Sequence, residues 1–221
     1  MKSAERFDTI TYEEFKEIND RLIVPLDMKI DLDRFRQDIE VYRGMFRQWG
    51  KKRVNYPRYG ISLVNLDGEI SGDVDPACYP LDQWWEEHPD KLYWDHDFRC
   101  HTELMSMPSM SVLDPIKDYM VRSSILRWDS TGHFVPHIDM VKEHITHFRL
   151  WGISTDHNGY SLKYGDKYIT GWEPGRLYLI DTIEEHSAYA LDDDVFTFFI
   201  AVDIKGKDVL KASKEAASRA N

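Results

Sequence analysis

Hydrophobic and polar positions alternate in two registers along this chain, and the register changes near residue 123. Before it, stretches with apolar residues at helical spacing mix with irregular structure. Thr11-Tyr-Glu-Glu14 reads as a capping box that opens a short helix. Asp31 suits the N-cap of a second helix, with Leu32, Phe35, Ile39 and Phe46 on one face. Tyr59 to Asn65 alternates as a strand does, and Asp67-Gly68 supplies a turn after it. Asp114-Pro115 places proline in the first turn of a further helix. After Ser123 the texture becomes short β runs: Ser124 to Trp128, His147 to Ile153, Leu177 to Asp181 and Val195 to Ile204. His157-Asn-Gly-Tyr160 and Gly165-Asp166 mark turns between shorter strands. Many short strands separated by such turns predict a jelly-roll barrel. The Ala- and Lys-rich tail from Val209 to Asn221 predicts a terminal helix.

One segment fits neither register. Cys78 to Phe98 is crowded with aromatics (Tyr79, Trp84, Trp85, Tyr93, Trp94 and Phe98) among prolines and acids. It reads as a long structured loop with a helical turn. Its tryptophan pairs suit either the wall of a substrate mouth or a contact pinning a cap to the barrel. No linker interrupts the 221 residues. The expected organisation is one domain: residues 1–122 as a helical and loop cap with supporting elements, 123–204 as the β core, and 205–221 as a tail.

Composition narrows the function classes. Lys and Arg number 28 against 39 Asp and Glu, a net charge of −11. That disfavours a nucleic-acid partner, which needs a basic face. No run of about 18 apolar residues exists to cross a membrane, and Met1 to Asp8 lacks the apolar core of a signal peptide. A cytoplasmic location is the expectation. Two cysteines, Cys78 and Cys100, are too few for a disulfide framework or a cysteine-rich zinc site. No glycine-rich phosphate loop precedes a helix.

The chemistry-bearing stretch is Thr131-Gly-His-Phe-Val-Pro-His137-Ile-Asp139. Residues two apart on a strand point the same way, so His137 and Asp139 project from one face at a strand end. His186, beyond the Leu177 to Asp181 strand and a short acidic loop, is a third candidate ligand. Two imidazoles and one carboxylate on one face of an octahedron leave three positions open, as non-haem iron(II) oxygenases require. A lone His-x-Asp also occurs on ordinary surface strands. His144 and His147 offer a different, zinc-like pair.

A set of motifs resembles a known family. Pro136-His-Ile-Asp-Met, His147-Phe-Arg149-Leu-Trp, Gly171-Trp172-Glu-Pro-Gly175-Arg-Leu-Tyr-Leu-Ile-Asp181, His186-Ser-Ala and Ile200-Ala-Val-Asp203-Ile look like the aspartyl/asparaginyl β-hydroxylase family, closest to its bacterial proline cis-4-hydroxylase type. Order and spacing match over Ser123 to Ile204, with looser similarity at Tyr59 to Asn65 and Met105 to Ser111. The resemblance implies a double-stranded β-helix, mainly β with N-terminal helices and cupin-like. It implies Fe(II) on His137, Asp139 and His186, with 2-oxoglutarate as cosubstrate and dioxygen as oxidant. Asp139 keeps the carboxylate position, which favours hydroxylation over halogenation. The substrate class it implies is an amino acid, an amino-acid derivative or a side chain in a peptide.

The resemblance places Arg149 near a cosubstrate or substrate carboxylate. It also exposes a departure. The family carries a second arginine at the start of its last core strand, where this chain has Thr197 or Phe196, and no arginine occurs between Arg176 and Arg219. Arg149 or Arg127 then becomes the candidate for the far carboxylate of 2-oxoglutarate, with Thr197 adding a hydroxyl contact. Only one of Arg127 and Trp128 can face the barrel interior. Trp172 suits a structural turn, and Asp181 suits either a turn cap or a hydrogen bond that orients a ligand. A non-catalytic barrel and a cupin-like metal protein that uses no 2-oxoglutarate remain as alternatives.

Overall fold

The two N-terminal helices begin at the residues whose side chains can cap them. In the computed structural model, which describes residues 6–49, 57–70 and 75–219, α1 spans Tyr12–Ile18. Thr11 Oγ1 accepts from the Glu14 N–H and Glu14 Oε2 accepts from the Thr11 N–H, a reciprocal capping box. Helix α2, Leu32–Ile39, is capped by Asp31, which accepts from the N–H groups of Asp33 and Arg34. It stops at Ile39. Phe46, expected on its apolar face, lies beyond a 3-10 turn at Glu40–Met45 and reaches the core from there. The polar Met1 to Glu5 and the last two residues of the tail lie outside the described residues.

Among the described residues, twelve strands form two antiparallel sheets. In chain order they are β1 Ile23–Lys29, β2 Arg47–Gln48, β3 Arg58–Asn65, β4 Cys100–His101, β5 Ser123–Trp128 and β6 His133–His137. Then come β7 His147–Ile153, β8 Tyr160–Tyr164, β9 Lys167–Ile169, β10 Arg176–Ile180, β11 His186–Ala190 and β12 Val195–Asp203. The major sheet runs β1-β10-β7-β12-β5-β3-β2, with β4 also on β3, and the minor sheet runs β6-β11-β8-β9. Facing sheets of this order make a double-stranded β-helix, the cupin-like jelly roll expected from the strand texture. Strand β1 carries Pro25, which cannot donate to a ladder, and it sits at a sheet edge where that loss is tolerated.

Alternation along the major sheet divides two cores. From β12, Phe196, Phe198, Ile200 and Val202 join a cluster with Phe15, Ile18, Phe35, Ile39 and the C-terminal helix residue Leu210. Phe35 meets Phe196 and Phe198 edge-on, at centroid distances of 5.2 and 4.8 Å. Trp128, Trp151, Tyr160, Leu162 and Ile180 face the other way and fill the space between the sheets. The last helix, α4 Lys207–Arg219, packs on β1.

Two further expectations are corrected. Asp114-Pro115 does not open an α-helix; Pro115 lies inside a 3-10 run over Pro108–Tyr119, because its ring and missing N–H exclude an α-helical turn before it. The aromatic segment holds a two-turn helix, α3 Leu81–Glu87, between 3-10 turns at Pro76–Cys78 and Asp95–Asp97. Cys78 is buried, Cys100 exposed, and both are free. Among the described residues, no helix is long and apolar enough to cross a membrane.

The connection into β10 depends on Gly175. Its φ is +80°, and a Cβ there would lie 2.5 Å from the carbonyl oxygen of Ile30. That carbonyl belongs to backbone already tied to Gly175 by the Ile30 N–H at 2.9 Å. Gly175→Ala is expected to lower unfolding free energy by about 2 kcal/mol or more, since the left-handed cost and the backbone clash add. Urea denaturation checks it; a loss below about 0.5 kcal/mol would show that the turn relaxes freely.

Candidate metal centre

Antiparallel pairing of β6 with β11 sets His186 directly opposite His137. Their rings lie 4.4 Å apart between centroids. Asp139 follows two residues after the end of β6, and its N–H donates to the carbonyl of Thr182 at 3.0 Å. One ligand atom from each of His137, Asp139 and His186 lies within 4.8 Å of the others. The structure therefore brings together the three residues that the sequence places 2 and 47 positions apart. His144 and His147 are not gathered into this cluster.

Each histidine is oriented by its own backbone. His137 Nδ1 lies 2.7 Å from the carbonyl of Val135, and His186 Nδ1 lies 3.0 Å from that of Glu184. Carbonyls only accept, so Nδ1 of each neutral ring carries the proton and Nε2 keeps its lone pair for a metal. Electrostatics keep the Asp139 carboxylate ionised. Burial alone would raise the Asp139 carboxyl, but the His137 hydrogen bond and the charges of Arg149 and His186 hold it down at about 2. Burial lowers His186. Burial also works to lower His137, yet the adjoining Asp139 carboxylate outweighs it and the net shift is upward. A divalent cation fits this donor set: two neutral nitrogens and one hard oxygen on one side, with open space on the other.

The residues proposed to hold a carboxylate separate into three cases. Arg149 is buried, with Nε 3.9 Å from Asp139 Oδ2 and Nη2 donating to Asp95 at 3.0 Å. It borders a cavity of about 430 Å³ that His137 and Asp139 also line. Thr197 faces the barrel interior, where its hydroxyl accepts from Trp128 Nε1 at 2.9 Å. Arg127 is corrected: Trp128 takes the interior face, so Arg127 points the opposite way, its guanidinium over the rings of Tyr59 and Phe46 at 4.6 and 5.9 Å. Strand alternation alone puts it out of reach of the triad.

Neighbouring roles also resolve. Asp181 is fully buried, accepts from the Ile183 N–H and pairs with Lys16 of α1 at 2.9 Å, so it fixes the loop that leads into His186. Trp172 donates to the Thr155 carbonyl and packs edge-on against Trp151, a structural role. The aromatic pairs split: Trp85 and Trp94 line the 430 Å³ cavity, while Trp84 and Tyr93 turn into packing with Tyr79 and Phe98. Two residues absent from the sequence reading, Asp95 and Arg122, also line that cavity. Neither lies in a motif or a periodic segment, so no local signal marks them.

No protein-family model matches the chain, and no curated protein sequence matches it. Solved structures do. A Trichoplax adhaerens prolyl hydroxylase, in complex with a hypoxia-inducible-factor oxygen-degradation-domain peptide, is 13% identical over 89% of this chain and 92% of its own, with a TM-score of 0.44. A 2OG-Fe(II) oxygenase family oxidoreductase from Burkholderia pseudomallei is 10% identical over 68% and 70%, TM-score 0.36. KdgF from a Halomonas species is 14% identical over 38% and 69%, TM-score 0.30. The fold assignment rests on the strand order itself.

His147, the first residue of β7, gives this region a pH dependence. Burial, with the Arg149 charge adding, drives its imidazole down to about 3. An unfolded chain would protonate it near 6.5. As pH falls below about 6.5 the unfolded state takes up the proton first, so stability present above that value is lost progressively toward about 3. His147→Asn is expected to remove this contribution and flatten the fall. Urea midpoints at pH 7 and pH 5 check it; equal slopes for both proteins would show that His147 does not contribute.

Proposed function

We propose that this protein is an Fe(II)- and 2-oxoglutarate-dependent dioxygenase that hydroxylates an amino acid, an amino-acid derivative or a peptidyl side chain. The observation that carries the reading is the convergence of His137, Asp139 and His186, with both imidazoles oriented by backbone carbonyls, at the edge of a 430 Å³ cavity. That volume suits a small-molecule site. When bound, iron(II) and 2-oxoglutarate supply the oxidising power, drawn from dioxygen, that an unactivated C–H bond requires.

The chain's own residues supply geometry and exclusion of water. His137 and His186 present Nε2 and Asp139 a carboxylate on one side of the ion, leaving the cavity side for exchangeable ligands. Arg149 offers a charge-assisted partner to a carboxylate beside Asp139. Trp85 and Trp94, whose rings are 4.6 Å apart, form a rigid wall that keeps solvent from the reacting carbon.

A second reading, a cupin-like metal protein that uses no 2-oxoglutarate, is favoured by two observations. The barrel interior next to Thr197 holds about 20 Å³, room for a water molecule, and no arginine stands on β12. Succinate formation separates the two. The dioxygenase reading expects the wild type to bind one iron(II) per chain and to release succinate from 2-oxoglutarate. His137→Ala is expected to weaken iron binding by a factor of about 100 or more, since it removes a ligand outright. Full iron occupancy in His137→Ala would show that the metal lies elsewhere, and an iron-loaded wild type that makes no succinate with any amino acid tested would favour the second reading.

A further inference from the structure

The cavity beside the triad holds a charge arrangement that metal binding does not by itself require. Asp95 Oδ1 receives two guanidinium groups, Arg149 Nη2 at 3.0 Å and Arg122 Nε at 3.1 Å. Arg149 is 4% exposed, yet its Nε and Nη1 have no hydrogen-bond partner. Buried guanidinium donors are rarely left so, because desolvating them without an acceptor is costly. Nε lies 3.9 Å from Asp139 Oδ2, so an acceptor on that edge of Arg149 would stand beside the metal. Arg122 is steadied from its other side by the Tyr79 carbonyl at 3.5 Å.

Charge and space point the same way. With a divalent cation on the triad, two arginines against Asp95 and Asp139 leave this largely buried set net positive. Such a set calls for an anion. The barrel interior offers no place for one. It holds about 20 Å³ among aromatic rings, the Thr197 hydroxyl is engaged by Trp128, and Arg127 lies on the far face. The outer cavity is about 430 Å³, with Trp85, Trp94 and Phe199 as walls and both arginines in its lining.

We infer that ligands of this centre dock a carboxylate in the outer cavity, on a clamp formed by Arg149 and Arg122 and braced by Asp95, and not inside the barrel. The inference rests on the metal-centre reading above. It replaces the missing β12 arginine with a residue that immediately precedes β5. The ligand class is an organic carboxylate whose carbon chain or ring lies against Trp85 and Trp94. Two sources share that chemistry, the 2-oxoglutarate cosubstrate and a carboxylate-bearing substrate.

Anaerobic calorimetry on the iron(II)-loaded full chain tests it, with 2-oxoglutarate in one arm and phenylacetate in the other. The variants are Arg122→Gln, Arg149→Met and Thr197→Val. Both arginine variants are expected to weaken whichever acid binds by about tenfold or more, and Thr197→Val by about twofold or less. Arg149→Met strips a buried charge from the core, so iron stoichiometry and melting midpoint are recorded for each variant. Arg122→Gln, at the cavity edge, decides the matter if Arg149→Met does not fold. Wild-type affinity for 2-oxoglutarate in the folded arginine variants, with loss in Thr197→Val, overturns the clamp and leaves the dioxygenase reading standing. Arginine-dependent binding of phenylacetate without binding of 2-oxoglutarate does the reverse. Failure of both acids to bind the loaded wild type overturns both.

Discussion

The register between β6 and β11 is the constraint on which the site depends. Only with His186 opposite His137 do both imidazoles stand on the same side of the minor sheet. Slipping one strand by a residue would turn His186 to the other face. The irregularity between His186 and Ala188 in that ladder absorbs the mismatch beyond the histidines, so that pairing resumes at Phe134 and His133. Backbone bonds then complete the assembly. The carbonyl of Thr182 receives the N–H of Asp139 at 3.0 Å and that of Met140 at 3.4 Å, joining the loop after one histidine to the loop before the other. Three candidate ligands from two chain segments are thus placed by main-chain hydrogen bonds, with side-chain chemistry added to a geometry already fixed.

The major sheet supplies the rigidity behind this. Strand β12 lies between β7 and β5, paired on both edges. Its outer face is held by the aromatic contacts of Phe35, and its inner face by Trp128 and Thr197. Arg149, on β7, is paired through Ala201 to the same strand. Its charge therefore projects toward Asp139 from the best-supported part of the molecule, while its partner Asp95 comes from a 3-10 turn in the aromatic segment.

What could be read from the sequence follows from how local each signal is. Capping residues and their targets lie three positions apart, so α1 and α2 were legible at Thr11 and Asp31. Long alternating strands such as β7 and β12 were legible for the same reason. Strand β1 was not, because Pro25 breaks its pattern and an edge position rescues it only in three dimensions. The candidate ligands His137, Asp139 and His186 were legible as residue types, and the structure brings the three side chains together. The face taken by Arg127 depends on whether its neighbour Trp128 is claimed by Tyr160 and Thr197 across the barrel, which one strand's pattern does not decide. Asp95 and Arg122 were invisible because their partnership joins a turn to the residue before a strand, with no spacing rule between them.

The two-sided packing of β12 has a consequence for how this barrel can change. Interiors packed at crystal-like density do not stretch smoothly. Moving β12 outward to widen the 20 Å³ interior would press Phe196 and Phe198 into Phe35 and disturb the helical layer behind it. The inner chamber can therefore be remodelled only by trimming rings such as Trp151 or Phe199, one side chain at a time. The outer cavity is walled in part by α3 and the turn that carries Trp94, so it can change shape while the sheet stays still. Pocket shape is free to drift on the outer side of the His137, Asp139 and His186 cluster and is mechanically locked on the barrel side.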